Sequence, residues 1–251
     1  MTRWRTRCER RAPLAALIIA AWAVTALPSL DAAAKGKGCN GGMVLAGDVC
    51  IDPFEASLVE VSESGKLTPH PHYEPVGDAR VRAVSKKGVM PQGYISRNEA
   101  DAACKDAKKR LCTDDEWLHA CRGRHPTKYP YGDERKDEYC NDHGVSPLNK
   151  YFADRPDAEK YGPVAMNDPR LNQLAGGLAK TGSHAHCRNG FRVYDMVGNL
   201  HEWTADPSGT FRGGYYLDTK INGEGCDYKT TAHNATYHDY STGFRCCKDP
   251  N

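Results

Sequence analysis

Residues 193–206 read VYDMVGNLHEWTAD. Gly198-Asn199 is a turn dipeptide set between apolar residues, with Asp195 before it and Glu202 after it. A hard divalent cation such as calcium takes about six to eight oxygens, mixing carboxylates with backbone carbonyls. Asp195 and Glu202 offer the carboxylates, and Gly198 and Leu200 can turn carbonyls inward between them. The same residues also suit a plain hairpin turn with solvated acids. The rest of the chain has to decide between the two.

The chain has 251 residues, including 24 Gly, 15 Pro and 13 Tyr, with 26% charged residues and a formal net charge of +2. It is long enough for one sizeable core, and Gly and Pro in such number favour a loop-rich fold. The near-neutral balance gives no footprint for nucleic acid. Arg3, Arg5, Arg7, Arg10 and Arg11 form a basic leader ahead of an apolar run from Ala12 to Leu27, followed by Ala32-Ala33-Ala34. The run is shorter than the roughly 20 residues of a spanning helix. Residues 1–34 therefore read as a secretory signal peptide cut after Ala34, leaving no stable membrane span, with a Lys/Gly linker over 35–42 and one domain over 43–251. The destination is secreted or periplasmic.

There are eleven cysteines, and the cut removes Cys8. An even set of ten in an exported chain reads as a disulfide framework. No CxxC pair is present to suggest zinc.

Two helix starts are explicit. Ser96-Arg97-Asn98-Glu99 and Thr113-Asp114-Asp115-Glu116 have the capping-box form. Behind the first, Ala100, Ala103, Cys104 and Ala107 recur at helical spacing; behind the second, Trp117, Ala120 and Cys121 do so. Met43–Ser57 reads as a strand or hairpin leaving through an aromatic-acid pair, Phe54-Glu55. Residues 58–92 show no clear period and read as irregular. From Tyr129 to Lys180 the chain reads almost wholly as loop, to be held by disulfides or ions rather than by a core. From Gly190 onward, short apolar runs between glycine turns read as short strands.

Taken in order, RLCTDDEW (110–117), YPYGDE (129–134), VYDMVGNLHEW (193–203), FRGGYYLD (211–218) and GFRCC (243–247) resemble the motifs of the formylglycine-generating enzyme, or sulfatase-modifying factor, family. The resemblance spans roughly residues 43–248. It implies an α+β, C-type-lectin-like fold with little regular structure, one small antiparallel sheet, two short helices and calcium-tied irregular chain. Asp195, Gly198, Leu200 and Glu202 match calcium-binding positions of the family motif, and Asn141 and Asp142 match the first positions of a second ion site. Cys121–Cys226 and Cys104–Cys246 match pairs that are bridged in some members. Cys112 and Cys247 would then be left near each other. Cys39–Cys50 would be a local bridge, and Cys140–Cys187 would close the long loop, although ten cysteines permit many connectivities.

The resemblance also shows where the catalytic reading fails. Family enzymes oxidise a cysteine of an unfolded sulfatase segment, using copper(I) on two cysteines in a C-x4-C arrangement after the RGGS strand. Soft thiolates select Cu(I), and a carboxylate does not. Here the first copper position falls on Asp218 and the second within Lys220–Gly225, which holds no cysteine. RGGS has become RGGY at Tyr215, and WEW has become HEW at His201. The expectation is therefore a family domain without the thiol oxidase activity and with no catalytic residue assigned. It would be a calcium-stabilised scaffold that binds a peptide, protein or glycan. An oxidase or other metalloenzyme built on Asp218, His233 and His238, with Asp227 and Asp239 nearby, is the competing expectation. Ligand and oligomeric state are not written in the sequence.

Overall fold

The computed structural model describes residues 38–251. The expected signal peptide, its cleavage site, Cys8 and residues 35–37 of the expected linker lie outside the described residues. Residues 38–42 run straight into the domain, because Cys39 is bridged to Cys50.

The two helices begin where their caps place them. In α1 (Arg97–Asp106), Ser96 Oγ accepts from Glu99 N at 3.3 Å and Glu99 Oε2 accepts from Ser96 N at 2.8 Å. In α2 (Asp114–Arg122), Thr113 Oγ1 accepts from Glu116 N at 3.2 Å and Glu116 Oε2 accepts from Thr113 N at 2.8 Å. Each box satisfies two amide donors that a helix start would otherwise leave open. α1 buries Ala100, Ala103 and Cys104, and α2 buries Trp117, Ala120 and Cys121. Gly123, at φ 79°, ends α2.

The strands, in chain order, are β1 (Val44–Ala46), β2 (Val49–Ile51), β3 (Ala56–Val61), β4 (Leu67–Pro69), β5 (Val81–Ser85) and β6 (Arg110–Leu111). They continue with β7 (His201–Trp203), β8 (Phe211–Arg212), β9 (Lys229–Thr230), β10 (Thr242–Phe244) and β11 (Cys246–Lys248). Among the described residues they form three small sheets, ordered β1-β2-β11-β6, β10-β7-β8-β9 and β4-β3-β5, rather than the one sheet expected. Residues 58–92, expected to be irregular, are so only in part. They supply most of the third sheet, in which β3 and β5 pair antiparallel from Ala56↔Ser85 to Glu60↔Val81. Ala56 and Leu58 on β3 and Val81 and Ala83 on β5 point into one core cluster. The result is an α+β arrangement of small sheets, two main helices and long irregular chain.

One pairing positions the site. β7 and β10 run parallel, matching His201 with Thr242, Glu202 with Gly243 and Trp203 with Phe244. The HEW and GFR motifs, far apart in sequence, thereby lie side by side, and Arg245 follows directly.

The segment from 129 to 180 contains more helix than expected. It holds α3 (Pro147–Phe152), α4 (Asp157–Lys160), α5 (Pro163–Met166) and a 3-10 turn at Leu171–Gln173. Ser146 caps α3, accepting from Asn149 N at 3.3 Å, and Pro147 takes the first helical position, where its missing N–H costs nothing. These helices are too short to show a period, which is why the segment reads as loop.

Five disulfides join Cys39 to Cys50, Cys104 to Cys246, Cys112 to Cys247, Cys121 to Cys226 and Cys140 to Cys187. Adjacent Cys246 and Cys247 point to opposite faces of β11, so one bridges to α1 and the other to the approach of α2. Three of the bridges span 105, 135 and 142 residues. In the chain-entropy picture, closing a loop of about 100 residues restricts the unfolded chain by about 5 kcal/mol. Every cysteine of the described residues is bridged.

Candidate functional site

The turn in VYDMVGN holds three left-handed residues: Asp195 has φ 58°, Gly198 φ 78° and Asn199 φ 60°. Asp and Asn tolerate this region, and Gly enters it freely. At Gly198 a second constraint applies, since a Cβ there would lie 2.1 Å from the backbone oxygen of Asn141. Asn199 N donates to that same oxygen at 2.8 Å, and Asn141 Nδ2 donates to Asn199 Oδ1 at 2.9 Å. The turn is thus clamped to the segment carrying Asn141 and Asp142.

Three buried carboxylates surround one buried guanidinium. Glu55, Asp195 and Glu202 are 0%, 5% and 1% exposed, and Arg245 is 0% exposed. Arg245 Nε donates to Glu202 Oε2 at 2.6 Å and Nη2 to Glu202 Oε1 at 2.5 Å. Its remaining donors reach the carbonyls of Asp52 at 3.1 Å and Tyr194 at 2.8 Å. Trp117 Nε1 also donates to Glu202 Oε2, at 2.7 Å. Glu55 accepts from Asn199 Nδ2 at 2.5 Å and Leu200 N at 3.2 Å, and Asp195 Oδ2 accepts from Gly182 N at 2.6 Å.

The charges do not balance. Burial pushes Asp195 up to about 7. Burial, followed by repulsion from Asp195 and Glu202, holds Glu55 well above the usual carboxylate range. For Arg245 burial opposes the charge, but Glu202, Glu55 and Asp195 outweigh it and the guanidinium is held more firmly protonated. Three acids against one base leave an excess that either protons or a divalent cation can offset.

The charge excess is the one feature here that would favour a cation; the expected ligands do not converge. Both oxygens of Glu202 are taken by Arg245 and Trp117. Both oxygens of Asp142 are taken by Arg135, at 2.8 Å each, and Asn141 Nδ2 also holds the Gly177 carbonyl at 3.0 Å. Among the described residues no group of three or more His, Cys, Asp or Glu side chains converges as a metal site. Any cation here would have to draw on carbonyls such as those of Gly198 and Leu200. Glu55 is the member that sequence reading missed, its only signal being the aromatic-acid pair between β2 and β3.

The positions where the motifs depart from the family pattern touch one another. His201 packs its ring 4.9 Å from Tyr215, 5.4 Å from Tyr228 and 4.5 Å from Phe211. It is buried, its Nδ1 has no partner, and burial with the neighbouring His233 pushes its pKa down to about 3, so the ring is neutral. Asp218 closes a tight turn with Tyr215 through paired backbone bonds of 2.9 and 3.0 Å. Its carboxylate accepts from Lys220 N at 2.9 Å, Ile221 N at 3.0 Å and Tyr228 OH at 2.9 Å. A C-x4-C pair starting at 218 would end at Gly223, which has φ 112° and room for a Cβ only 2.6 Å from the Asp227 carbonyl.

The residues of the alternative metal site have separate partners. His238 Nδ1 meets Asn167 Oδ1 at 2.8 Å, and His233 stacks on Tyr237 at 3.7 Å. Asp227 pairs with Arg122, and buried Asp239 is bound by Tyr237 and Ser241.

The chain is 25% identical over 224 residues to the inactive C-alpha-formylglycine-generating enzyme 2 of Mus musculus, covering 74% of this chain and 61% of that protein. It is 29% identical over 185 residues to the formylglycine-generating enzyme of Bos taurus, covering 63% and 44%. The chain thus spans roughly half the length of these relatives. Among solved structures it is similar to that of CarF, at 15% identity and a TM-score of 0.41 over 86% of this chain and 96% of that one. The model of the sulfatase-modifying factor enzyme 1-like domain matches residues 19–250, and the chain belongs to that family.

Proposed function

We propose that this chain is an exported, calcium-stabilised member of the family that binds a peptide, protein or glycan on its loop-rich face and does not oxidise cysteine. One observation carries the reading: His201, Tyr215, Asp218 and Tyr228 form a single packed, hydrogen-bonded cluster around the first copper position. A copper(I) centre needs two thiolates there. The described cysteines are all committed to bridges, and Asp218 is committed to its own turn. Loss of a single ligand would leave a hole; here the substituted side chains fill one another's space. Similarity to a relative named as an inactive enzyme supports the same reading. Export is supported by the leader and by five bridges, which persist in oxidising compartments. Calcium is supported by the buried excess of carboxylate over guanidinium.

The test combines mass and turnover. Intact mass of the mature protein under denaturing, non-reducing alkylation is expected to show no free thiol. With copper(I) and oxygen supplied, a cysteine peptide of the sulfatase type is expected to remain unmodified. Two alkylated cysteines together with conversion of the peptide to formylglycine would overturn the reading and restore the oxidase.

A further inference from the structure

A cleft of about 680 Å³ opens beside the C-terminal end of α2, and neither Tyr215 nor Asp218 lines it. Its charged lining has one sign. Arg122, Arg124, Arg188 and Arg192 line it together with His125 and His186, and no Asp or Glu does so among the described residues. The whole chain carries a formal net charge of only +2, so this cleft concentrates positive charge rather than sharing a general excess.

Three of the four arginines are positioned without being neutralised; the fourth, Arg122, pairs with Asp227. Arg124 instead lies 5.5 Å from the ring centroid of Phe191, and Arg188 lies 5.7 Å from that of Tyr194 while donating Nη1 to its hydroxyl at 3.1 Å. An aromatic face orients a guanidinium and leaves in-plane donors open, apart from the Arg188 Nη1 given to the Tyr194 hydroxyl. Neither these two nor Arg192 has a carboxylate partner among the described residues. Like charges gathered in a concavity repel, and an oxyanion with forked oxygens is what relieves that repulsion.

The walls are pinned. Cys121, next to Arg122, is bridged to Cys226, and Cys187, between His186 and Arg188, is bridged to Cys140 beside Tyr139. Asn189 donates to the carbonyls of Ala120 and Cys121 at the end of α2 and accepts from Phe191 N at 3.0 Å. His186 stacks on Tyr139 at 4.7 Å, which leaves that ring face covered rather than free for a sugar. A rigid, cationic cleft of this size suits a small molecule bearing several anionic groups.

We infer that this cleft is a binding site for a small polyvalent oxyanion, held by the guanidinium groups of Arg124, Arg188 and Arg192. The inference goes beyond the proposed function and does not need it, since an active oxidase could carry the same cleft. Calorimetric titration of the mature chain with citrate, and separately with inorganic phosphate and sulfate at matched ionic strength, tests it. At least one is expected to saturate at one site: citrate alone identifies a carboxylate ligand, and phosphate or sulfate a tetrahedral one. Arg124→Gln with Arg188→Gln is expected to weaken binding by about tenfold per guanidinium at unchanged melting temperature. Arg188→Lys is expected to recover part of it. Absence of saturation by all three anions, or an affinity untouched in the folded double variant, overturns the inference.

Discussion

Arg245 and Glu202 face each other through two parallel hydrogen bonds, 2.6 and 2.5 Å long, with both side chains buried. The parallel pairing of β7 with β10 brings them together, so the ion pair reports whether the HEW and GFR motifs are in register. Removing one member leaves the other charge buried without its partner, which costs about 3–5 kcal/mol. Arg245→Met carries an additional burden, because Glu55 and Asp195 also lose their nearest positive charge. Denaturant unfolding is expected to show that loss for Arg245→Met; a change below about 1 kcal/mol would mean that the pair is not what holds the two strands together.

Asp195 sets a pH dependence of definite sign. Its pKa is raised, from an ordinary 3.8 to about 7, so the fold prefers its protonated form. Its stabilising contribution is complete below the unfolded value and is lost as pH rises through about 7. His201 works in the opposite direction, because its folded pKa lies near 3 and the unfolded ring takes up a proton below about 6.5. Comparison with Asp195→Asn separates the two. Without calcium, the variant is expected to match or exceed the parent at pH 8 and to lose that advantage by pH 5. Calcium is expected to raise the melting temperature of the parent at pH 8 and to have much less effect on the variant. Identical calcium responses in the two proteins would remove Asp195 from the cation site.

Gly198 is where the turn touches its neighbour. Alanine there meets the Asn141 oxygen at 2.1 Å and must hold φ 78°. Backbone strain of this kind costs about 1–3 kcal/mol, and a contact with fixed main chain adds to it. Gly198→Ala is expected to lower stability by at least that amount, measured by thermal unfolding. A variant as stable as the parent would show that the Asn141 segment yields easily, and the clamp between the two candidate ion loops would have to be given up.

What was readable in the sequence was local. The capping boxes of α1 and α2 join residues three apart, so Ser96-Glu99 and Thr113-Glu116 declare themselves in one short stretch. The third sheet does not, because β3 is recognisable only through its long-range pairing with β5. The site divides in the same way. Asp195, Gly198, Leu200 and Glu202 stand in one motif, whereas Glu55 finds Asn199 and Leu200 across 144 and 145 residues. Nor could spacing show that Glu202 and Asp142 are each taken by an arginine, since Arg245 and Arg135 lie outside the motifs' ligand patterns. The departures at His201 and Tyr215 were visible one by one. Their contact, and the bond from Tyr228 to Asp218, belong to the fold.

Restoring the thiolates tests whether the copper position is merely empty of cysteine or structurally closed. Asp218→Cys removes a carboxylate that accepts three hydrogen bonds, leaving the Tyr228 hydroxyl and two amides to find other partners. Gly223→Cys forces a side chain onto a residue with φ 112° and onto the Asp227 carbonyl at 2.6 Å. Together the two substitutions are expected to cost on the order of 3–5 kcal/mol, from lost hydrogen bonds and backbone strain. The double variant should therefore unfold well below the parent and fail to bind copper(I) one to one in a competition assay with a chromogenic chelator. Tyr215→Ser and His201→Trp added to it are expected to recover little, because Gly223 remains the obstacle. Stoichiometric copper(I) binding at near-parent stability would show that the groove survives intact, and the case for a filled, non-oxidising site would fall with it.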